Sequence, residues 1–182
     1  MGARASTLSR DDIEELSEIS SFTPQQIIRL YKRFRRLDRD DLGLLNTDDI
    51  LNAIPELAMN PLAERICAVL DPHDTETIHF RQFCEVLGAF SPHASRERKL
   101  MFAFKIYDVN DDGFITADEM LTVLQMLAGT GGPDSLSLAQ LTALAEQTVK
   151  DADLDGDGRV SFQEFVQSSQ GIDVHEKFTI IF

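Results

Sequence analysis

The 182-residue chain carries 31 acidic against 17 basic residues, a formal charge of −14, and 43% of its residues are apolar. That length suits one or two small domains with enough apolar content for a core, and the acidic balance argues against nucleic acid as the main partner. No run approaches the roughly 20 apolar residues that span a bilayer, and the N-terminus lacks the apolar segment of a secretory signal. Cys67 and Cys84 lie in apolar runs without metal-ligand spacing, as buried thiols of a reducing compartment do.

The chain opens Met1-Gly2-Ala3-Arg4-Ala5-Ser6. This fits the pattern in which loss of Met1 exposes Gly2 for N-myristoylation. One such chain gives only marginal attachment, so a second membrane signal is needed for stable anchoring. Ile13, Leu16 and Ile19 then recur at helical spacing, which predicts a short amphipathic helix over 11–20. Thr23-Pro24-Gln25-Gln26 is a strong helix start, with a cap, a proline in the first turn and a glutamine three residues on. The helix should run to about Leu37, burying Ile27, Leu30, Tyr31, Phe34 and Leu37. Around that stripe lie Arg29, Lys32, Arg33, Arg35 and Arg36, with Arg39 just beyond. They read either as a solvated face or as a contact for anionic lipid or an acidic partner, which would supply the second membrane signal.

Residues 38–49 look like a worn metal loop. Asp38, Asp40, Gly43, Asn46 and Asp49 keep the spacing, but Leu42 has no oxygen to offer and Asp49 is a methylene short. Residues 71–82 are poorer still, with Asp71, His73 and Thr75, Glu76 at the glycine position, and Gln82 last. Leu45 and Ile78, at position eight, can still pair the two loops. His73 and His79 lack further ligands at zinc spacing. Pro55 and Asn60-Pro61 bound the helix entering this second hand, whose exiting helix should run from about Phe80 to Phe90. Ser91–Ser95 is short and turn-rich, a linker.

Leu100, Met101, Phe102, Phe104, Ile106 and Tyr107 make the next helix, over 96–107, apolar round much of its girth. It leads into Asp108, Asn110, Asp112, Gly113, Phe114, Thr116 and Glu119. A hard cation such as calcium wants six to eight oxygens, and this twelve-residue spacing supplies them. Positions one, three and five give side-chain oxygens, Phe114 its carbonyl, Thr116 a direct or water-borne ligand, and Glu119 two oxygens. Gly113 permits the sharp turn. The pattern recurs at Asp153, Asp155, Asp157, Gly158, Arg159 (carbonyl), Ser161 and Glu164. Thr116 with Glu119 is an S/T-x-x-E capping box, Ile115 and Val160 are placed to bridge the two loops, and each loop leads into an apolar run. Two such loops in tandem are a paired EF-hand lobe, expected to hold two calcium ions.

Helix 117–128 repeats the apolar excess with Met120, Leu121, Val123, Leu124, Met126 and Leu127. That excess means a deep core or a groove for a target helix. The groove candidates are Phe102, Ile106, Leu124 and Leu127. Residues 129–135 are glycine-rich without the lysine of a phosphate loop. Ser137 and Gln140 cap the helix into the fourth loop. Phe178, Ile180 and Phe182 end the chain and should pack on the groove, either competing with a partner or clamping it, the clamp being favoured.

The fold expected is all-α and two-lobed, with four helix-loop-helix units in two pairs. An arm covers 1–22, an N-lobe with two degenerate hands 23–90, a linker 91–95, a calcium-binding C-lobe 96–170 and an apolar tail 171–182.

The chain resembles the calcineurin B branch of EF-hand proteins over nearly its whole length. The resemblance rests on Arg29-Leu-Tyr-Lys-Arg-Phe34, Pro55-Glu-Leu57, Asn60-Pro-Leu62, Arg98-Lys-Leu100, Phe102-Ala-Phe104, Ile106-Tyr-Asp108 and Asp155-Gly-Asp-Gly-Arg159. The opening residues and Phe22–Phe34 are most similar to the calcineurin homologous proteins, although the long inter-lobe insertion common there is absent. Glu64–Cys67, Gly129–Leu138 and Phe178–Phe182 are similar to calcium- and integrin-binding proteins. The resemblance implies a myristoylated cytosolic adaptor, peripheral to the membrane, that holds an amphipathic helix of a sodium/proton exchanger and is a monomer when free. A phosphatase regulatory chain, an integrin-type adaptor and a passive calcium buffer are the alternatives. No nucleophile-base motif points to an enzyme, and the carboxylates are spaced to surround an ion.

Overall fold

In the computed structural model of the chain, residues 8–53, 59–71, 75, 77–128 and 136–171 are described. They form the all-α, two-lobed EF-hand architecture that the loop spacing predicts, with four very short strands. Helix α1 (Arg10–Ser20) begins a residue before the apolar periodicity suggests. The cause is Ser9, whose hydroxyl accepts from the Asp12 N–H while the Asp12 carboxylate accepts from the Ser9 N–H, a capping box. Helix α2 (Pro24–Leu37) starts on the Thr23–Gln26 box. Strand β1 (Leu44–Leu45) and α3 (Thr47–Ala53) complete the first hand. Helix α4 (Ala63–Leu70), β2 (Ile78–His79) and α5 (Phe80–Leu87) make the second, and α5 tightens into a 3-10 turn at Gly88–Phe90. Then follow α6 (Arg96–Tyr107), β3 (Phe114–Ile115), α7 (Ala117–Ala128), α8 (Leu138–Ala152), β4 (Val160–Ser161) and α9 (Phe162–Ser168).

Each pair of hands closes through one antiparallel bridge. Leu45 faces Ile78 and Ile115 faces Val160, the position-eight pairing that the sequence predicts. All four side chains are buried, so the bridges are the floor of each core.

The N-lobe core is built on aromatic edges. Phe34 packs edge-on against Phe80 (5.2 Å between centroids) and Phe83 (5.6 Å), while Tyr31 meets Phe80 at 5.0 Å. Leu16 and Phe22 join this core, so α1 is packed on the lobe over its described length. Its C-terminus lies against the 3-10 turn. A Cβ on Gly88 would stand 2.2 Å from the Ser20 carbonyl oxygen and 2.8 Å from Arg98 Nη2, so no larger residue fits there without moving backbone. The Ser91 hydroxyl donates to the Ser21 carbonyl at 2.9 Å, tying the linker to the same turn.

Helix α6 belongs to both lobes. Phe102 meets Phe90 at 4.9 Å in the first core, and Ile106 lies in that core as well. Phe104, two residues on and about 200° round the helix, meets Phe162 at 5.5 Å and Phe165 at 5.6 Å in the second. This explains an apolar girth too wide for one interface: the helix is covered from two sides. Lys99 on the same helix is wholly buried, and burial lowers its pKa.

Candidate metal centre

The third and fourth loops share one hydrogen-bond plan, written by the same residue types at the same spacing. In the third, Asp108 accepts from the N–H groups of Asp112 (3.1 Å) and Gly113 (3.0 Å). The Asp112 carboxylate accepts from the Phe114 N–H at 3.0 Å. Glu119 accepts from Val109 and Asn110 N–H with one oxygen and from the Thr116 N–H and hydroxyl with the other, at 2.8–3.1 Å. In the fourth, Asp153 accepts from Gly156, Asp157 and Gly158. Glu164 accepts from Leu154 and Asp155 with one oxygen and from Ser161 with the other. The glutamate thus closes each loop from its far end. Positive φ at Gly113 (87°) and Gly158 (85°) makes the turn.

In both loops these hydrogen bonds hold carboxylate oxygens in place, and in the fourth the oxygens converge. Ligand atoms of Asp153, Asp155 and Glu164 lie within 4.8 Å of one another. The donor set is carboxylate, amide, hydroxyl and carbonyl oxygen, which suits calcium rather than a soft metal. Electrostatics agree. Burial raises the Asp108 pKa, although the Gly113 and Asp112 N–H groups oppose the shift; a bound cation would offset that cost. The Ser161 N–H and hydroxyl, with the Leu154 N–H, lower Glu164 to about 2, keeping it ionised. Arg159 bridges the loops: its guanidinium carbon stands 3.9 Å from the centre of the Phe114 ring.

The first loop keeps the backbone of the third and departs from its set of oxygen-bearing side chains. Asp38 accepts from Leu42 and Gly43 N–H at 2.9 and 2.8 Å, as Asp108 does from Asp112 and Gly113. Asp41 and Gly43 share the positive φ of Asp111 and Gly113. The fifth position, however, is the exposed Leu42, and the hydrogen bonds described for Asp49 go to Asn46, not across the loop. Arg35, expected on the cationic face of α2, instead turns into this loop and pairs with Asp38 (3.4 Å) and Asp41. A guanidinium there partly neutralises acids that an ion would otherwise balance. In the second loop Thr75 donates to Asp71 at 2.9 Å, while His73 and Glu76 lie outside the described residues.

The expected groove residues fall in different places. Phe102 and Ile106 are buried at 6% and 4% exposure, Leu124 is half-buried, and Leu127 is exposed. Phe178, Ile180 and Phe182, the 129–135 loop and Gly2 lie outside the described residues. Burial raises the thiol of Cys67 to about 11 and that of Cys84 to about 12, as expected of inert core cysteines. Two residues that sequence reasoning passed over are Lys99 and Arg65. The latter reaches from α4 to the carbonyls at the end of α6, and nothing in its local sequence signals a target forty residues on.

An EF-hand domain pair model matches residues 97–170. The whole chain is similar to calcineurin B of Naegleria gruberi, at 39% identity over 99% of both chains. It is also 40% identical to calcineurin B type 2 of Dictyostelium discoideum, over all of this chain and 98% of that one. Calcineurin B of Yarrowia lipolytica is 38% identical, over 94% and 96%. With an EF-hand pair matched over 97–170 and this likeness from end to end, the chain belongs to the calcineurin B-like family of EF-hand proteins.

Proposed function

We propose that this chain is a non-catalytic, calcium-binding regulatory subunit that holds an amphipathic helix of a protein phosphatase catalytic chain, with calcium at 108–119 and 153–164. What carries the reading is that a chain matched end to end by calcineurin B sequences also offers an apolar groove of about 780 Å³ between α4, α5 and α6. Val69, Val86, Met101 and Phe102 line its apolar part, and Glu97 and Lys105 stand among its charged residues. An amphipathic helix fits such a surface, apolar side inward. The relatives' names favour the phosphatase over the exchanger helix expected from the N-terminal resemblance. The tail is the clamp in this reading. Arg96, at the start of α6, donates to the Ser169 carbonyl at 2.5 Å, which holds the end of α9 beside the helix that lines the groove.

Labelled helical peptides from a phosphatase catalytic chain and from an exchanger juxtamembrane segment test this directly. The phosphatase peptide should bind in calcium, and Met101→Asp should weaken it at least tenfold, since a carboxylate would then face apolar surface. Binding of the exchanger peptide alone would overturn the choice of partner. Binding of neither, with no calcium-induced dye fluorescence, would leave a passive buffer.

Membrane attachment through Gly2 extends the reading. No described helix is long and apolar enough to cross a membrane. Arg29, Lys32, Arg33 and Arg36 are exposed on α2, and each cation near an anionic surface contributes about 1 kcal/mol. Acylated protein should float with anionic liposomes and Gly2→Ala should not; equal flotation refutes the anchor.

A further inference from the structure

The guanidinium of Arg65 joins the degenerate lobe to the third calcium loop. It leaves α4, the helix entering the second hand, and donates from Nε to the Ile106 carbonyl at 3.1 Å. One terminal nitrogen donates to the carbonyls of Lys105 (3.0 Å) and Asp108 (3.1 Å). These are carbonyls at the C-terminal end of α6, where a helix has acceptors with no partner of its own. A planar cation with a rigid fork of donors suits that end in charge and in shape. Asp108 is also position one of the loop, and its side chain is held at the same time by Asp112 and Gly113. Fixing its carbonyl as well fixes the peptide plane that aims the chain toward Val109 and Asn110, whose N–H groups receive Glu119. A cleft of about 280 Å³ lies here, lined by Arg65, Asp71 and Asp108. The first residue of the second loop and the first residue of the third therefore line one cleft with this cation, and Asp108, Glu119 and Asp111 are the acids whose charge acts on it.

We propose that Arg65 is a positioning residue for the third calcium site, through which the degenerate N-lobe sets that site's affinity. The inference rests on calcium binding at 108–119. Two effects of Arg65 oppose each other there. Its charge repels a divalent ion, while its three hydrogen bonds pre-form the loop. The structure favours the second, because the guanidinium is spent on helix-end carbonyls and the loop it steadies provides the ion's ligands.

The test separates the two effects and uses the fourth loop as an internal control. Arg65→Lys keeps the charge and loses the fork; Arg65→Met loses both. Calcium is titrated into 15N-labelled full-length protein, following the amides of Gly113 and Gly158, each donated to its loop's first carboxylate. Both variants should weaken the third site about tenfold or more, the usual effect of removing a group that orients a ligand, with the fourth site, coupled to it only through the bridge and Arg159, weakened by a clearly smaller factor. Tighter or unchanged binding at the third site in Arg65→Met would overturn the proposal. So would equal weakening at both sites, which means general destabilisation. Should Gly113 of the unmutated protein not respond to calcium, the assignment of calcium to this loop fails first.

Discussion

Replacing Phe83 by alanine should destabilise the N-lobe by about 3–5 kcal/mol, the range for emptying a fully buried aromatic site. Phe83 has no exposed surface, and its ring sits 5.6 Å from Phe34 and 6.4 Å from Phe80. The neighbours cannot collapse into the space easily, because Leu45 and Ile78 are held in register by the bridge beneath. In a C-lobe, metal binding would help to oppose such damage. Here the first two loops lack a full oxygen set, so the lobe relies on this core. Chemical denaturation should therefore show the same loss in calcium and in chelator. A loss below about 1 kcal/mol would mean the core is far more plastic than its packing implies.

Glu119→Gln and Glu164→Gln should each weaken calcium at their own loop by about two orders of magnitude, through loss of a charged bidentate donor. The hydrogen bonds make the effect larger than a charge count suggests. Each glutamate receives donors on both oxygens, from the start of the loop on one and from Thr116 or Ser161 on the other. An amide has only one acceptor oxygen, so its NH2 would face donors on one of the two sides. The loop then loses part of its closure along with a ligand. Because Arg159 spans to Phe114 and Ile115 pairs with Val160, each single variant should also weaken the neighbouring loop, by a smaller factor. Calorimetric titration of each variant measures both effects.

The calcium loops were legible because their information is local. Twelve consecutive residues carry candidate ligands, turn, bridge and cap, and in the fourth loop ligand atoms of Asp153, Asp155 and Glu164 lie within 4.8 Å of one another. The caps of α2 and α8 and the position-eight bridges were readable for the same reason. What sequence could not give is which side of a helix meets which neighbour. The apolar surplus of α6 could not be divided from sequence: Phe102 and Ile106 join the first core and Phe104 the second, while Met101 and an edge of Phe102 line the cleft against α4 and α5. Arg35 looked like one of six solvated cations, and its partners in the loop came from the fold of that loop. Arg65 and Lys99 were invisible because their environments are made by elements distant in the chain.

The central claim is a division of labour: calcium chemistry in the C-lobe, and an N-lobe that folds without it. Calorimetric titration of calcium into the full-length protein and into the double variant Glu119→Gln/Glu164→Gln tests it most directly. The account predicts two tight ions in the first and none in the second. Three or more tight ions in the unmutated protein, or a tight ion surviving in the double variant, would place calcium in loops whose fifth-position residue is Leu42 or whose last residue is Gln82, and would contradict it.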